Sequence, residues 1–291
     1  QDSLDSMPLS GRRGAGANVW VQDGSIWLYL AHNGAYDEQG RLLKLGCVRI
    51  TPVAAKLDGT EFRQELDPAT GTISVRAGGF GASLWFAGET LLIETKSDRA
   101  EALDVAFATW RDQPRAGLHL DVWGTEQMSE DRVTADEQGI LWFHRNADHP
   151  VDVVAKARGQ GIEESAVLDA TTRRVSGGAV AVAGGLSKPA ETAVHWQHWD
   201  GKSWTGRTGA RAQHTIAVAL GAALDAKPEE WRTRAAAMLR QESRDAARVE
   251  ECKRWTEFWS RSHVVVNPGA AEDDAGRRIG GNYQLFRYML A

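Results

Sequence analysis

The sequence predicts a mainly β protein: a large antiparallel β-sandwich over residues 1–225, a helical linker over 226–262, and the start of a further helix over 263–291. Three observations carry that prediction. Short segments that alternate apolar and polar residues recur about every eight to twelve positions, a spacing suited to a sandwich and too short for βαβ units. Asp23-Gly24 stands between two such segments as the two-residue signal of a type I′ hairpin. After Lys227 the composition turns to strong helix formers, with no glycine as far as Arg261.

The first stretch, residues 7–50, packs a Gly-Arg loop (Gly11, Arg12, Arg13, Gly14, Gly16), the hairpin strands 18–22 and 25–31, and a polar connection holding His32, Asn33, Tyr36, Asp37, Arg41 and Lys44. Strands 62–66 and 72–76 flank Asp67-Pro68-Ala69-Thr70-Gly71, where proline presets φ and glycine closes the turn. Segments 81–86, 91–96, 103–110, 117–123, 132–135 and 140–145 continue the pattern. Residues 151–161 have helical spacing and read as a short helix. Segments 180–183, 192–199 and 214–224 close the sheets, with 200–206 as a Gly-rich loop that holds Trp204.

Residues 227–261 read as one helix, unbroken or broken once. Pro228 suits the first helical position, and Glu229 and Glu230 lie at the positive end of the dipole. Trp231, Ala235, Met238, Leu239, Ala246, Val249, Phe258 and Trp259 form its apolar stripe. Residues 263–267 read as extended, 268–281 as a polar loop, and 282–290 as a helix apolar nearly all round. Such a helix wants neighbours on several sides, so the chain reads as one cut inside a second domain. Gln1 is not an initiator Met, which is the expectation for a mature or cropped chain.

With 42% hydrophobic and 25% charged residues the composition is that of a soluble globular protein. A net charge of −5 argues against nucleic acid as a partner. The longest apolar run, 216–224, falls far short of the roughly 20 residues a bilayer needs, so no membrane insertion is expected. Cys47 and Cys252 read as free thiols acting as small apolar groups, with a bridge left open.

Residues 6–21 (SMPL, then GAGANVWV) and 37–50 (DEQGRLLKLGCVRI) resemble the opening of the N-terminal β-sandwich domain of bacterial six-hairpin, (α/α)6-barrel glycoside hydrolases, distantly like α-L-fucosidases. Residues 140–146 (ILWFHRN), 255–261 (WTEFWSR) and 283–290 (YQLFRYML) extend the resemblance to nearly the whole chain. The Asn-Gly pair usual in the family's first loop is absent from Pro8–Gly14. The resemblance implies a supersandwich followed by the first helix of a truncated barrel, and a secreted or periplasmic enzyme acting on an oligosaccharide or polysaccharide glycan. It implies that the chain's own C-terminal barrel is a partner and carries the catalytic carboxylates beyond residue 291. Hydrolysis and phosphorolysis both stay open, and no catalytic residue is expected in this chain.

The residues themselves agree on that last point, because nothing in the spacing of 39 Asp and Glu picks out the acid–base pair that glycosidic cleavage needs. Twelve tryptophans are the stronger signal. Trp20, Trp27, Trp85, Trp110 and Trp142 alternate with polar residues as core residues do, whereas Tyr36 and Trp204 sit in polar loops and suit either packing or stacking on a sugar ring. The candidate sugar contacts are Arg12, Arg13, His32, Asn33, Tyr36, Asp37, His144, Arg145, Asn146 and Trp204, each with a structural reading beside it. His195 and His198 would point to opposite strand faces, His119 and Asp121 make only a pair, and a hairpin follows the glycines at 11–16. No metal and no cofactor is expected. A free-standing carbohydrate-binding module and a purely structural domain remain the alternatives.

Overall fold

In a computed structural model the described residues are all but 1, 39, 59–60, 117–126, 148–157, 164–170, 197–198, 225–226 and 241–243. They form two large antiparallel sheets packed face to face. The seven-stranded sheet runs β1 (Met7–Ser10), β2 (Ala15–Gln22), β3 (Ser25–Tyr36), β4 (Leu42–Pro52), β9 (Leu103–Thr109), β16 (Trp199–Arg207), β15 (Ala190–Trp196). The eight-stranded sheet runs β12 (Asp131–Asp136), β13 (Gly139–Arg145), β14 (Val175–Val182), β17 (Arg211–Ala223), β8 (Thr90–Glu101), β7 (Phe80–Ala87), β6 (Thr72–Ala77), β5 (Arg63–Asp67). A small ribbon pairs β10 (Arg115–Ala116) with β11 (Gln127–Met128).

Strand alternation decides the layers. Leu28, Val48, Val105 and Phe107 of one sheet meet Ile73, Leu84, Ile93, Val180 and Val218 of the other in one buried core. Phe107 stacks across the gap on Trp142 at 4.0 Å, and Gly46, at φ 112°, makes room for it, since a Cβ there would lie 2.5 Å from the Phe107 ring. The hairpin prediction is met at Asp23 (φ 49°) and Gly24 (φ 67°), the two positive-φ positions a type I′ turn requires. Of the five predicted core tryptophans, Trp20, Trp27, Trp85 and Trp142 are buried and Trp110 is half-buried. Both cysteines are free, Cys47 buried in β4.

After β17 the chain becomes helical: α1 (Pro228–Leu239), α2 (Arg244–Arg261) and α3 (Ala275–Met289). The first two lie on the outer face of the eight-stranded sheet. Trp231 of α1 is fully buried and donates its indole N–H to the Trp142 carbonyl at 3.2 Å. From α2, Arg248 lies over the Trp85 ring at 4.8 Å and donates to Thr72 Oγ1 at 2.8 Å. Trp255 is fully buried against the 67–71 turn, where a Cβ on Gly71 (φ 61°) would come within 2.2 Å of its indole nitrogen. Trp259 donates to the Pro68 carbonyl at 2.8 Å. Tyr288 of α3 stacks on Trp255 at 4.9 Å, while Ile279, Phe286, Met289 and Leu290 remain 65%, 55%, 47% and 70% exposed.

Three expectations are corrected. His32, Asn33 and Tyr36 are not in a loop: β3 continues to Tyr36 through a register shift after Leu30, which accommodates the polar residues without ending the strand. Residues 192–199 are two strands, and Trp204 lies within β16 instead of a Gly-rich loop, because Gly201 pairs with Val194 and lies close against Thr109, where a Cβ could not fit. The last helix begins at Ala275, not 282. Asp274 caps it by accepting the Arg277 N–H at 2.8 Å, so Gly276, Gly280 and Gly281 sit inside a helix and do not break it. The helical stretch over 227–261 is broken once, into α1 and α2, which is one of the two expected forms. The strand at 117–123 and most of the short helix at 151–161 lie outside the described residues.

Candidate functional site

The Gly-Arg loop between β1 and β2 is shaped by its glycines. A Cβ on Gly11 would lie 2.6 Å from the Phe86 ring, and Gly14 takes φ 86° with Asn33 packed against it. Arg12 donates its backbone N–H to the Gly88 carbonyl at 2.8 Å, which docks the loop on the β7–β8 turn. Beside it opens a cleft of about 590 Å³, with Arg12, Arg13, Asn18, Asn33, Lys44 and Arg254 among its polar lining and Tyr29, Met289 and Leu290 among its apolar lining.

Two carboxylates gather the cations of this region. Glu251 of α2, 3% exposed, faces Arg12 at 3.7 Å and accepts from Arg254 Nε at 2.8 Å. Glu89, in the β7–β8 turn, lies 3.5 Å from Arg13, 3.7 Å from Arg234 of α1 and 3.5 Å from His32 Nε2. His32 accepts the Gly34 N–H on Nδ1 at 3.0 Å, which leaves the proton of the neutral ring on Nε2, toward Glu89. Burial lowers the His32 pKa, with Glu89 opposing. Each carboxylate is thus clamped by two arginines, one from the loop and one from a helix. That geometry fastens helices to sandwich; it is not that of a general acid awaiting a substrate.

A second polar group lies under the β3–β4 connection. Arg111 pairs with Asp131 through two hydrogen bonds of 2.8 and 2.9 Å, and Thr109 Oγ1 donates to the same carboxylate at 2.6 Å. His144 bridges Asp131 (3.1 Å) and Glu38 (3.4 Å) with its two ring nitrogens, and Ser129 donates its N–H to Glu38 at 2.8 Å. Burial would raise the Asp131 and Glu38 pKa values, but Arg111 and His144 for the first, and His144 and Ser129 for the second, hold each at about 2. Burial opposes the charged imidazolium of His144, yet its hydrogen bonds to both carboxylates raise its pKa. Asp37 accepts from Arg41 at 2.9 Å, and Asn146 donates to the carbonyls of Tyr36 (3.1 Å) and Thr171 (2.9 Å). Arg174 lies over the Tyr36 ring at 5.5 Å.

The predicted contacts therefore divide. Arg12, Arg13 and Asn33 line the cleft, whereas His32, between Ala31 and Asn33 on the opposite face of β3, is buried against Glu89. Tyr36, Asp37, His144 and Asn146 brace one connection from inside. Arg145 lines a separate shallow hollow with Glu130 and Arg132, and Trp204, half-buried, stacks toward Phe107 at 6.3 Å on the inner side. Sequence reasoning missed Glu89 and Glu251, which look like solvated residues of a turn and a helix and acquire partners only from far along the chain. Among the described residues no group of three metal-ligating side chains forms, and no helix is long and apolar enough to cross a membrane. His119, Asp121 and His198 lie outside the described residues.

A family model described as "Domain of unknown function (DUF5703)", N-terminal part, matches residues 1–264. No curated protein matches the chain. Among solved structures, one described as "Putative kojibiose phosphorylase from human microbiome" aligns at 12% identity with a TM-score of 0.47, over 97% of this chain and 38% of its own. The chain spans well under two thirds of the length of that structure's chain.

Proposed function

The chain belongs to the family of the domain of unknown function DUF5703, and we propose that it is the non-catalytic β-sandwich portion of an exported glycan-processing enzyme. In this reading residues 1–225 are a platform, 226–262 a linker pressed onto it, and 263–291 the first part of a helical catalytic barrel. The observation that carries it is the seat of the helices. Trp231, Trp255 and Tyr288 are 0% exposed where the helices meet the sandwich, yet the other side of α3 leaves Ile279 and Phe286 uncovered, with Met289 and Leu290 exposed at the cleft. Burying each such aromatic contributes on the order of 3 kcal/mol, so the seat orients α3 firmly while leaving an apolar face for further helices. The glycan comes from the sequence resemblance, and the clamped state of Glu89 and Glu251 supports a scaffold over a catalyst.

The test is to assay the full-length gene product on α- and β-linked disaccharides with and without phosphate. Turnover that the 291-residue chain alone lacks, and that Ile279→Glu with Phe286→Glu abolishes without unfolding the sandwich, is the expected result. Turnover by the 291 residues alone, or none by the full-length product on any glycoside, would overturn the proposal.

A further inference from the structure

We propose that the outer face of the seven-stranded sheet holds a binding slot for a single pyranose ring, walled by Trp27 and Trp199 over a floor of Cys47, Ala106, Ala108 and Ser203. This goes beyond the scaffold reading and does not depend on it, since the slot lies on the sheet face that α1 and α2 do not cover.

Strand register builds the floor. Cys47 pairs with Ala108, Ala108 with Ser203, and Ser203 with Thr192, so one row of small side chains crosses four strands on the outward face. Larger residues stand beside it. The result is a depression of about 200 Å³, below the roughly 300 Å³ at which pockets for drug-sized ligands begin, and so sized for one ring and not an extended molecule.

The walls are set before any ligand arrives. Trp27 stacks on Trp20 at 5.9 Å and carries the Arg49 guanidinium 5.2 Å from its ring centre. Trp199 lies 5.3 Å from the Trp110 ring and donates its indole N–H to the Tyr29 hydroxyl at 3.4 Å. Both rings are therefore held in place, which lowers the ordering cost of binding. Trp199 is half-buried and supplies the apolar platform, while Trp27 is a fixed wall.

The chemistry selects the occupant. A pyranose offers one face of C–H groups to an aromatic ring and a rim of hydroxyls to hydrogen-bonding groups. Here the hydrogen-bonding groups are the Ser203 hydroxyl in the floor and, at the rim, the Thr192 hydroxyl and the Arg49 guanidinium, with no carboxylate among the described lining residues. The Cys47 thiol, its pKa pushed up to about 12 by burial, is a neutral part of the floor and not a nucleophile.

Saturation-transfer NMR and calorimetry on the 291-residue chain with the α- and β-methyl glycosides of glucose, galactose and mannose test this. The expected result is transfer to ring protons of at least one glycoside, with affinity reduced about tenfold in Trp199→Ala. Thr192→Phe, at an exposed, slot-facing position of the edge strand opposite Ser203, should abolish transfer without changing the melting temperature. No transfer to any glycoside, undiminished transfer in both variants, or equal transfer to an indole control would each overturn the proposal. Loss of this binding would leave the turnover assay of the full-length product unaffected, so the two proposals fail separately.

Discussion

On the outer face of the eight-stranded sheet Trp85 is buried beneath Arg248 of α2, whereas on the outer face of the seven-stranded sheet Trp199 and Tyr29 stay half-buried around an open slot. Both faces come from strands with the same alternation. The difference teaches that alternation says which side chains leave the shared core, and that the segment arriving afterwards says whether they are covered. On one face that segment is α1 and α2, anchored by aromatic burial and two clamped carboxylates. On the other, among the described residues, the aromatics cover mainly one another.

The comparison can be broken most severely at Trp255. Trp255→Ala should cost about 3–5 kcal/mol in urea unfolding, since it empties a fully buried site between the 67–71 turn and Tyr288, whereas Trp199→Ala should cost under about 1 kcal/mol. Equal losses would mean that the two faces are energetically alike. Asp131→Asn should cost about 3 kcal/mol, because Arg111, 5% exposed, is left with an uncompensated buried charge. Gly71→Ala should cost about 1–3 kcal/mol through its positive φ and its contact with Trp255, read as a lower melting temperature. Arg13→Ala, whose side chain is 79% exposed, should change stability by less than about 1 kcal/mol despite its pairing with Glu89.

The internal network sharpens the comparison through pH. Asp131 and Glu38 titrate at about 2 when folded against about 4 unfolded, so their stabilisation is present above pH ~4 and is lost as the pH falls toward 2. His144 is raised above its ordinary value, so its stabilisation is full below pH ~6.5 and is lost as the pH rises through the folded value. The network's contribution to stability should therefore be highest between about 4.5 and 6.5, and His144→Gln should remove its alkaline decline and weaken its acid one, since Glu38 then keeps only Ser129 while Arg111 still holds Asp131.

Much of the sandwich was legible because its signals are local. Asp23-Gly24, the 67–71 turn and the alternating tryptophans each state their conformation within a few residues. The candidate site was less so. The Arg13–Glu89 and Arg12–Glu251 contacts join residues far apart in the chain, and no spacing rule pairs them. The continuation of β3 past His32 was hidden because the register shift lets polar residues stay in a strand, and the start of α3 was hidden because Gly276, Gly280 and Gly281 resemble breakers. Trp204 was misplaced because Gly201 reads as a loop residue when it is in fact the small residue that lets β16 lie close to β9.

The central claim, that the sandwich seats α3 so that its exposed side can receive further helices, is tested most directly by hydrogen–deuterium exchange over residues 275–289. The account predicts that α3 amides exchange at least about tenfold more slowly in the full-length gene product than in the 291-residue chain, while α1 and α2 exchange alike in both. Equal exchange of α3 in the two would contradict it.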